Sequence, residues 1–240
     1  MLAGKTAIIT GASGGIGASV ARVFASNGCR VILTGRRGEA LEKVRRSIEA
    51  DNADGAVDCH AGDVTNAADV KALFETAVRK YERVDILVNN AGITASGGVE
   101  IDVDTFRRVL DVNVVGAFLC AQAAFRHRVP RIINVGSISS MAPRPDATAY
   151  TTSKYAIDGL TRSLALDGRP LGIAVGVVHP GNVSSDLLSP AEVEDRRRTE
   201  GLLDAENVAR SVLLMATMPP EANVLELCVM PTQQPLVGRG

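Results

Sequence analysis

Two side chains near the middle of the chain could exchange a proton with a substrate. Tyr150 and Lys154 are four residues apart in the sequence Y-T-T-S-K, and residues at this spacing lie on one face of a helix. The ammonium of Lys154 would stabilise the phenolate form of Tyr150, so that the tyrosine could trade protons near neutral pH. Interconversion of an alcohol and a ketone needs such a group while a nicotinamide carries the hydride. Alone, the pair also fits an ordinary solvated helix face.

A glycine-rich turn near the N-terminus is the second pattern with chemical meaning. The apolar stretch K-T-A-I-I-T runs directly into G-A-S-G-G-I-G. Glycine permits a tight turn there and lets backbone N–H groups approach a pyrophosphate, whose charge the N-terminus of the next helix favours. The pattern predicts a dinucleotide site whose first contacts are Gly11, Ser13, Gly15, Ile16 and Gly17.

The elements that must position these residues alternate along the whole chain. Apolar stretches of strand length are separated by amphipathic segments of helix length, which predicts right-handed βαβ units and a parallel sheet covered on both faces. We find no linker, low-complexity run or internal repeat, and therefore expect one doubly wound, Rossmann-like α/β domain of seven strands over residues 1–240. The predicted strands are Thr6–Thr10, Arg30–Thr34, Ala56–His60, Val84–Asn89, Arg131–Val135, Ile173–Val178 and Val224–Val229. The predicted helices are Ile16–Asn27, Glu39–Ala50, Ala67–Tyr81, Val103–Arg126, Ala149–Asp167 and Ala205–Met218.

Composition and charge narrow the class of protein. Hydrophobic residues make up 46% of the chain and tryptophan is absent, so the core must be built from Ala, Val, Ile and Leu, as in buried parallel strands. A net charge of −1 gives no reason to expect nucleic acid or an anionic membrane as a partner. The arginine run 196–198 follows Glu192, Glu194 and Asp195, and this mixture of charges favours a solvated helix over a binding patch.

The cysteines and the N-terminal sequence indicate in which cellular compartment the protein is expected. Cys29, Cys59, Cys120 and Cys228 are scattered singly, without the spacing of metal sites or redox dithiols, which indicates free thiols in a reducing environment. The three histidines likewise have no companions at ligand spacing, so no metal site is expected. The chain runs from Met1 straight into a strand, and we expect no leader and no stretch near the ~18 residues of a membrane span. These points predict a soluble, cytoplasmic protein.

Taken together, the motifs resemble the short-chain dehydrogenase/reductase family over essentially the whole chain. The glycine-rich turn has the spacing T-G-x-x-x-G-x-G of that family rather than the G-x-G-x-x-G of other dinucleotide-binding proteins. Within the family, a bacterial branch is indicated by three short sequences: P-R-P before Tyr150, A-L-D-G-R after it, and V-G-R-G at the C-terminus. Further matches follow in family order: Asp63-Val64, Asn89-Asn90-Ala91-Gly92, Asn113 in D-V-N-V-V-G, Ser137 in I-N-V-G-S-I-S, Tyr150 and Lys154, and Pro180-Gly181.

The resemblance implies a catalytic tetrad of Asn113, Ser137, Tyr150 and Lys154. In such a tetrad Tyr150 is the acid/base and Lys154 activates it while binding the nicotinamide ribose. Ser137 holds the substrate carbonyl oxygen, and Asn113 helps to bind a water that links Lys154 to solvent. Donors from Ser137 and Tyr150 would stabilise the negative charge that hydride transfer builds on that oxygen. The structural alternatives are a Ser137 that only caps the next segment and an Asn113 that only bonds helix backbone.

The implied cofactor is NADP, with NAD as the alternative. A carboxylate at the end of the second strand would bind the ribose 2′-hydroxyl of NAD, but Gly35 stands there and Arg36 and Arg37 follow. Arg36 can offer a forked, charged donor to the 2′-phosphate of NADP; alternatively both arginines are solvated and both cofactors bind. The other implied contacts are Asp63 and Val64 near the adenine, Asn90, Ala91 and Gly92 near the adenosine ribose, and Pro180, Gly181, Val183 and Ser185 near the nicotinamide amide.

The expected function is therefore an NADP-dependent alcohol dehydrogenase or carbonyl reductase that acts on a small ketone or alcohol. The segments Thr94–Val99, Ser139–Asp146 and Val183–Arg198 would form the substrate pocket, and they contain no aromatic residue. Arg144 could pair with an acidic substrate or lie at the rim near Asp146.

Two other readings of the sequence compete with this one. A catalytically silent nucleotide sensor or scaffold would show a broken tetrad, whereas this tetrad is whole. A sugar-nucleotide epimerase or dehydratase usually carries a larger C-terminal substrate domain, for which a chain ending at Gly240 has little room.

The resemblance also implies a homotetramer, with a dimer as the runner-up. Two predicted helices, Val103–Arg126 and Ala149–Asp167, carry more apolar residues than one sheet face is expected to cover. Members of the family commonly pair these helices across a two-fold axis, and many pair the last strand, Val224–Val229, across a second one. The residues expected at the helical interface are Val114, Ala117, Phe118, Ala121, Ile157, Leu160 and Leu164.

Overall fold

The strands form one parallel sheet, as the alternating pattern predicts. The computed structural model describes residues 1–51, 56–184 and 190–236, and within these ranges it has seven strands in the order β3-β2-β1-β4-β5-β6-β7, all paired in parallel. The order reverses between β1 and β4, and ligands of such sheets bind beside that switch point, at the carboxyl ends of the strands. The strands are β1 Thr6–Thr10, β2 Arg30–Gly35, β3 Val57–Ala61, β4 Ile86–Asn89, β5 Arg131–Val135, β6 Ala174–Pro180 and β7 Glu226–Val229.

Helices cover both faces of the sheet, so the core lies in two layers. The described ranges contain the α-helices α1 Gly15–Ser26, α2 Gly38–Asp51, α3 Ala67–Tyr81, α4 Val103–Leu110, α5 Gly116–Arg126, α6 Thr148–Gly168, α7 Pro190–Thr199 and α8 Ala205–Ala216. Apolar residues of α1, α2 and α8 pack on one face, and those of α3, α5 and α6 pack on the other. The central strands β1, β4 and β5 are buried along their whole length, which is why they lack an alternating polar pattern.

The predicted helix Val103–Arg126 is interrupted by a π-helical turn over Asp111–Val115. There the N–H of Gly116 donates to the carbonyl oxygen of Asp111, five residues earlier. A Cβ added to Gly116 would lie 2.7 Å from Cγ2 of Val64. Because Gly116 has no side chain, the helix can approach the segment after β3 closely. Turns of this kind are common at functional sites, and this one contains Asn113.

The same helical run corrects one expectation from the sequence. Its 24 residues are long and apolar enough, with a mean hydropathy of 1.4 over the most apolar window, to cross a membrane by length and composition alone. However, 44% of that window is buried inside the fold, where Cys120, Ala121 and Ala124 pack against the sheet. The run therefore has the packing of a core helix.

A second correction concerns the residues expected at a helical interface. Ala117, Ala121, Ile157 and Leu164 are buried in the core of the chain itself, because α5 and α6 pack on the sheet through them. Of the seven residues, Phe118 is 43% exposed. The other exposed large apolar side chains of these helices include Val103, Val115, Tyr155 and Leu166.

Candidate active site

A cavity of about 350 Å³ opens at the carboxyl ends of β1 to β4. It lies at the switch point of the sheet, where a nucleotide site is expected. Its wall brings together most of the predicted cofactor contacts: Gly11, Ser13, Gly15, Ile16, Arg36, Arg37, Asp63, Val64, Asn90, Ala91 and Gly92. It also includes Ile93 and Val112, which no sequence motif indicated.

The glycine-rich turn has a backbone that side chains would disturb. Gly11 has φ of 64°, and a Cβ added there would lie 2.7 Å from Cα of Ala91. Gly17 does not line the cavity; a Cβ added to it would lie 2.5 Å from the carbonyl oxygen of Gly11. The helix α1 begins after Gly14, which has no side chain to cap it, so N–H groups of the first turn are available to an anion. This cradle fits a pyrophosphate.

The end of β4 is locked to the glycine-rich turn by side-chain hydrogen bonds. The amide Nδ2 of Asn90 donates to the carbonyl oxygens of Thr10, at 2.9 Å, and Gly11, at 3.1 Å. In return, Oγ1 of Thr10 accepts the N–H groups of Asn90 and Ala91, each at 3.0 Å. Asn90 therefore holds the shape of the turn as well as lining the cavity. The role of Thr10 was not predicted.

The charged residues of this cavity lie where the adenosine end of a dinucleotide would be recognised. Arg36 and Arg37 are exposed after β2, and Nη2 of Arg37 donates to Oγ of Ser13 at 3.2 Å. Asp63 is the one carboxylate among the described residues of the wall; its Oδ1 accepts hydrogen bonds from the N–H and Oγ1 of Thr65 at 2.9 and 2.8 Å. Two guanidinium groups beside a phosphate cradle fit a cofactor with an additional phosphate.

A second cavity of about 170 Å³ adjoins the first and shares Ile16, Asn90 and Gly92 with it. It contains three of the four tetrad residues together with the turn after β6. The predicted residues in its wall are Ser137, Tyr150, Lys154, Pro180, Gly181 and Val183. Thr94, Ser139, Arg144, Asn182 and Arg196 complete its polar lining. Ser185 lies outside the described residues.

Tyr150 and Lys154 lie one turn apart on α6, as their spacing predicts. The Nζ atom of Lys154 is 5.4 Å from the centre of the Tyr150 ring and donates to the carbonyl oxygen of Val135 at 2.9 Å. Lys154 is buried, whereas Tyr150 is half-buried. The ammonium group is therefore held over the phenol ring.

Asn113 lines neither cavity, and its side chain is fully hydrogen-bonded. Its Oδ1 accepts the N–H of Ile93 at 2.8 Å, and its Nδ2 donates to the carbonyl oxygen of Ile93 at 3.0 Å and to Oγ of Ser153 at 2.9 Å. The Ser153 hydroxyl donates in turn to the carbonyl oxygen of Tyr150 at 2.7 Å. Asn113 thus ties the loop after β4 to the helix that carries Tyr150. Ser153 lies within Y-T-T-S-K, but its contact with Asn113 joins residues 40 positions apart and was not predicted.

Ser137 is surrounded by polar groups that adjoin the second cavity. Its Oγ accepts the N–H of Ser139 at 3.1 Å, so it caps the following turn as well as lining the cavity. The fully buried His179 has its Nδ1 3.2 Å from the carbonyl oxygen of Ser137 and 3.2 Å from Oγ of Ser140. On the other side of the ring, Nε2 lies 3.5 Å from Oδ1 of Asp158. Burial raises the pKa of the Asp158 carboxyl above its ordinary value.

A carboxylate, Glu200, joins several segments at the mouth of the second cavity. Its Oε2 accepts hydrogen bonds from Nη2 of Arg144 at 2.6 Å, Nδ2 of Asn182 at 2.8 Å and Nε2 of Gln234 at 3.3 Å. Burial alone would raise the pKa of this carboxyl, but the hydrogen bonds from Asn182 and Arg144 and the charges of Arg144 and Arg196 outweigh it, so the pKa is lowered. We call these four residues, Arg144, Asn182, Glu200 and Gln234, the Glu200 clasp. No motif marks Glu200 or Gln234, and only the fold brings them together.

Comparisons with known proteins identify the family. The model of the short chain dehydrogenase family matches residues 5–196, and this chain belongs to that family of oxidoreductases. An uncharacterized oxidoreductase of Staphylococcus saprophyticus is 33% identical over 232 residues, which cover 95% of this chain and 97% of the relative.

Two solved structures show the same architecture. A short chain dehydrogenase of Burkholderia cenocepacia in complex with NADP is 30% identical, with a TM-score of 0.86 over 95% of this chain and 97% of the other. A 3-ketoacyl-(acyl-carrier-protein) reductase of Brucella melitensis complexed with NADH is 30% identical, with a TM-score of 0.86 over 95% and 98% of the two chains. The family and the fold expected from the sequence are confirmed.

Proposed function

We propose that this protein is an NADP(H)-dependent oxidoreductase that interconverts a secondary alcohol and a ketone, with Tyr150 as the acid/base. One observation carries the proposal: the cavity lined by Ser137, Tyr150 and Lys154 shares Ile16, Asn90 and Gly92 with the glycine-rich cavity. A substrate in the smaller cavity would therefore meet the nicotinamide end of a dinucleotide whose adenosine end lies in the larger one. When bound, the nicotinamide supplies or accepts the hydride.

The residues of the larger cavity would hold the cofactor by its phosphates. The first turn of α1 would bind the pyrophosphate, and Arg36 and Arg37 would bind the 2′-phosphate that distinguishes NADP from NAD. A structural relative binds NADP and another binds NADH, so NAD is the alternative cofactor. Asp63, already fixed by Thr65, would accept a hydrogen bond from the adenine.

The tetrad would act on the substrate oxygen. The hydroxyls of Ser137 and Tyr150 would donate to the carbonyl oxygen, where negative charge develops during reduction. Tyr150 would then release its proton to that oxygen, and Lys154 would stabilise the phenolate that remains. Asn113 would keep Tyr150 in place through Ser153 and the backbone of α6. In the oxidative direction each proton moves in reverse.

Two further expectations belong to this proposal. Exposed apolar side chains on α4 to α6 support a homo-oligomer, a tetramer or otherwise a dimer. The isolated cysteines support a cytoplasmic location, because a reducing compartment keeps such thiols free.

Ketone-dependent oxidation of NADPH, followed by absorbance, tests the function. We expect turnover by the parent with at least one member of a panel of small ketones, and a loss of about 100-fold or more in Tyr150→Phe. The variant should still bind NADPH, because only the hydroxyl is removed. A folded Tyr150→Phe variant with activity within about tenfold of the parent would contradict the mechanism. NADPH binding without turnover of any ketone would instead favour a nucleotide sensor.

A further inference from the structure

The wall of the smaller cavity is positively charged. Lys154, Arg144 and Arg196 all line it, and no carboxylate does so among the described residues. The ammonium of Lys154 is committed to Val135 and to the Tyr150 ring. The two arginines come from different elements, the loop before α6 and the helix α7, and both donate to Oδ1 of Asn182, at 3.0 and 3.3 Å, so their positive charges lie together in the wall.

Hydrogen bonds to Asn182 and Glu200 fix the orientation of the Arg144 guanidinium. Its Nη2 donates to Oδ1 of Asn182 at 3.0 Å and to Oε2 of Glu200 at 2.6 Å. Glu200 itself does not line the cavity and is fixed by Asn182 and by Gln234 of the C-terminal segment. A carboxylate placed in this way orients the arginine without entering the space in front of it.

Arg144 has donors left for a ligand. Its hydrogen bonds to described residues all use Nη2, whereas a guanidinium carries five N–H groups. Among the described residues none accepts a hydrogen bond from Nε or Nη1 of Arg144, so these groups can serve a ligand. Because both N–H groups of Nη2 are used, a ligand would be bound by single charged hydrogen bonds from Nη1 or Nε, and a small carboxylate is an anion that can accept them.

We infer that the substrate is a small ketone or secondary alcohol that carries a carboxylate, which Arg144 binds while Tyr150 and Ser137 act on the oxygen that reacts. The inference rests on the proposed function, since it names the substrate class of that site. The cavity of about 170 Å³ is below the roughly 300–1,000 Å³ typical of sites for drug-sized ligands. Short oxo acids and hydroxy acids are therefore the expected class.

Pairs of substrates that differ only in charge test this inference. We would compare kcat/KM for short 2-, 3- and 4-oxo acids with the values for their methyl esters, in the parent and in Arg144→Gln. A charged hydrogen bond to the carboxylate predicts a preference of about tenfold or more for the acid in the parent. In Arg144→Gln that preference should fall toward unity, mainly through KM, and Arg144→Lys should restore part of it because the positive charge returns.

Two controls separate recognition from stability. Arg126→Gln removes the same charge from an exposed position at the end of α5 and should leave the preference unchanged. If Arg144 only fastens the Glu200 clasp, Arg144→Gln will lower the activity on acids and esters by the same factor, and this outcome would overturn the inference. A parent that prefers the esters would overturn it equally.

Direct binding distinguishes this inference from the proposed function. Titration calorimetry on the NADP-loaded protein would measure the affinity for the same acids, esters and hydroxy acids, with and without the Arg144→Gln substitution. Acids that bind the parent, bind Arg144→Gln about tenfold or more weakly and yet undergo no turnover would support the carboxylate site while refuting the reductase. No detectable binding of any acid to the loaded parent would overturn the carboxylate site.

Discussion

The ammonium group of Lys154 donates to the carbonyl oxygen of Val135, the last residue of β5, at 2.9 Å. The contact anchors α6 to the carboxyl edge of the sheet, and both residues line the smaller cavity. It also leaves two of the three ammonium donors free. Lys154 can therefore serve Tyr150 and a ribose hydroxyl without losing its position.

Removal of this ammonium group should impair both catalysis and cofactor binding. We expect Lys154→Ala to lower kcat by about 100-fold or more, because the phenolate of Tyr150 loses its stabilising charge. The dissociation constant for NADPH, measured by fluorescence, should rise as well. Lys71→Ala, on the exposed face of α3, is the matched control and should change neither quantity. Lys154→Ala with unchanged NADPH affinity would exclude the ribose contact.

Cofactor preference should respond to two positions after β2. A Cβ added to Gly35 would meet only Cδ2 of Leu41, at an ordinary 3.7 Å, so an aspartate can be accommodated there. Gly35→Asp combined with Arg36→Ser should lower the ratio of kcat/KM for NADPH to that for NADH by about tenfold or more, because a repulsive charge replaces a charged donor. Arg107→Ser, exposed on α4 and absent from the wall of the cavity, should leave the ratio unchanged. A parent that already prefers NADH would show that the arginines do not select the cofactor.

The glycine-rich turn should tolerate no side chain at Gly17. In Gly17→Ala the new methyl group would lie 2.5 Å from the carbonyl oxygen of Gly11 and 2.6 Å from Nδ2 of Asn90. The turn or the end of β4 must then shift, and we expect NADPH affinity to fall by about tenfold or more and Tm to decrease. Gly159→Ala, on the exposed face of α6 with no atom within 4 Å of the new carbon, should instead stabilise the fold by about 0.5–1 kcal/mol. Equal effects of the two substitutions would contradict the packing argument.

The sequence predicted the parts of this site that depend on local geometry. The bounds of β1, β5 and α3 match the prediction, since apolar runs and helical periodicity are local signals. Tyr150 and Lys154 were predicted because residues four apart lie on one face of a helix, and the glycine-rich turn because its glycines let a backbone approach a phosphate.

Other parts of the site depend on long-range contacts, which a single sequence does not display. Glu200 binds Arg144, 56 residues earlier, and Gln234 of the C-terminal segment binds both Glu200 and the N–H of Asn182 in the turn after β6. His179 was expected to pack or to make an incidental polar contact, but its place beneath Ser137 could not be predicted. Arg196 belonged to a run that we expected to be solvated, but it lines the smaller cavity.

The Glu200 clasp should make stability depend on pH in the acid range. The pKa of Glu200 is lowered in the folded protein. The ionised carboxylate therefore contributes to the free energy of unfolding at pH values above its unfolded pKa of about 4.3. This contribution is lost as the pH falls through the lower pKa of the folded state. Glu200→Gln should therefore lower Tm by a few degrees at neutral pH, and the difference from the parent should shrink below about pH 4. Glu194→Gln, exposed on α7, is the control. A difference that stays constant down to acid pH would show that the charge of Glu200 does not stabilise the clasp.

We expect the protein to form a homo-oligomer, because large apolar side chains between α4 and α6 are exposed. Val115, Phe118 and Tyr155 are 42%, 43% and 47% exposed, and exposed apolar patches usually mark an interface. Light scattering at micromolar concentration should give a mass close to four times 25.1 kDa, or twice that value for a dimer. Phe118→Arg should reduce the mass by burying a charge in the interface, whereas Lys71→Glu, on α3, should not. If α6 is braced by a partner, Phe118→Arg should also lower turnover, because Tyr150 and Lys154 lie on that helix. A fully active parent with a mass of 25.1 kDa would refute the assembly.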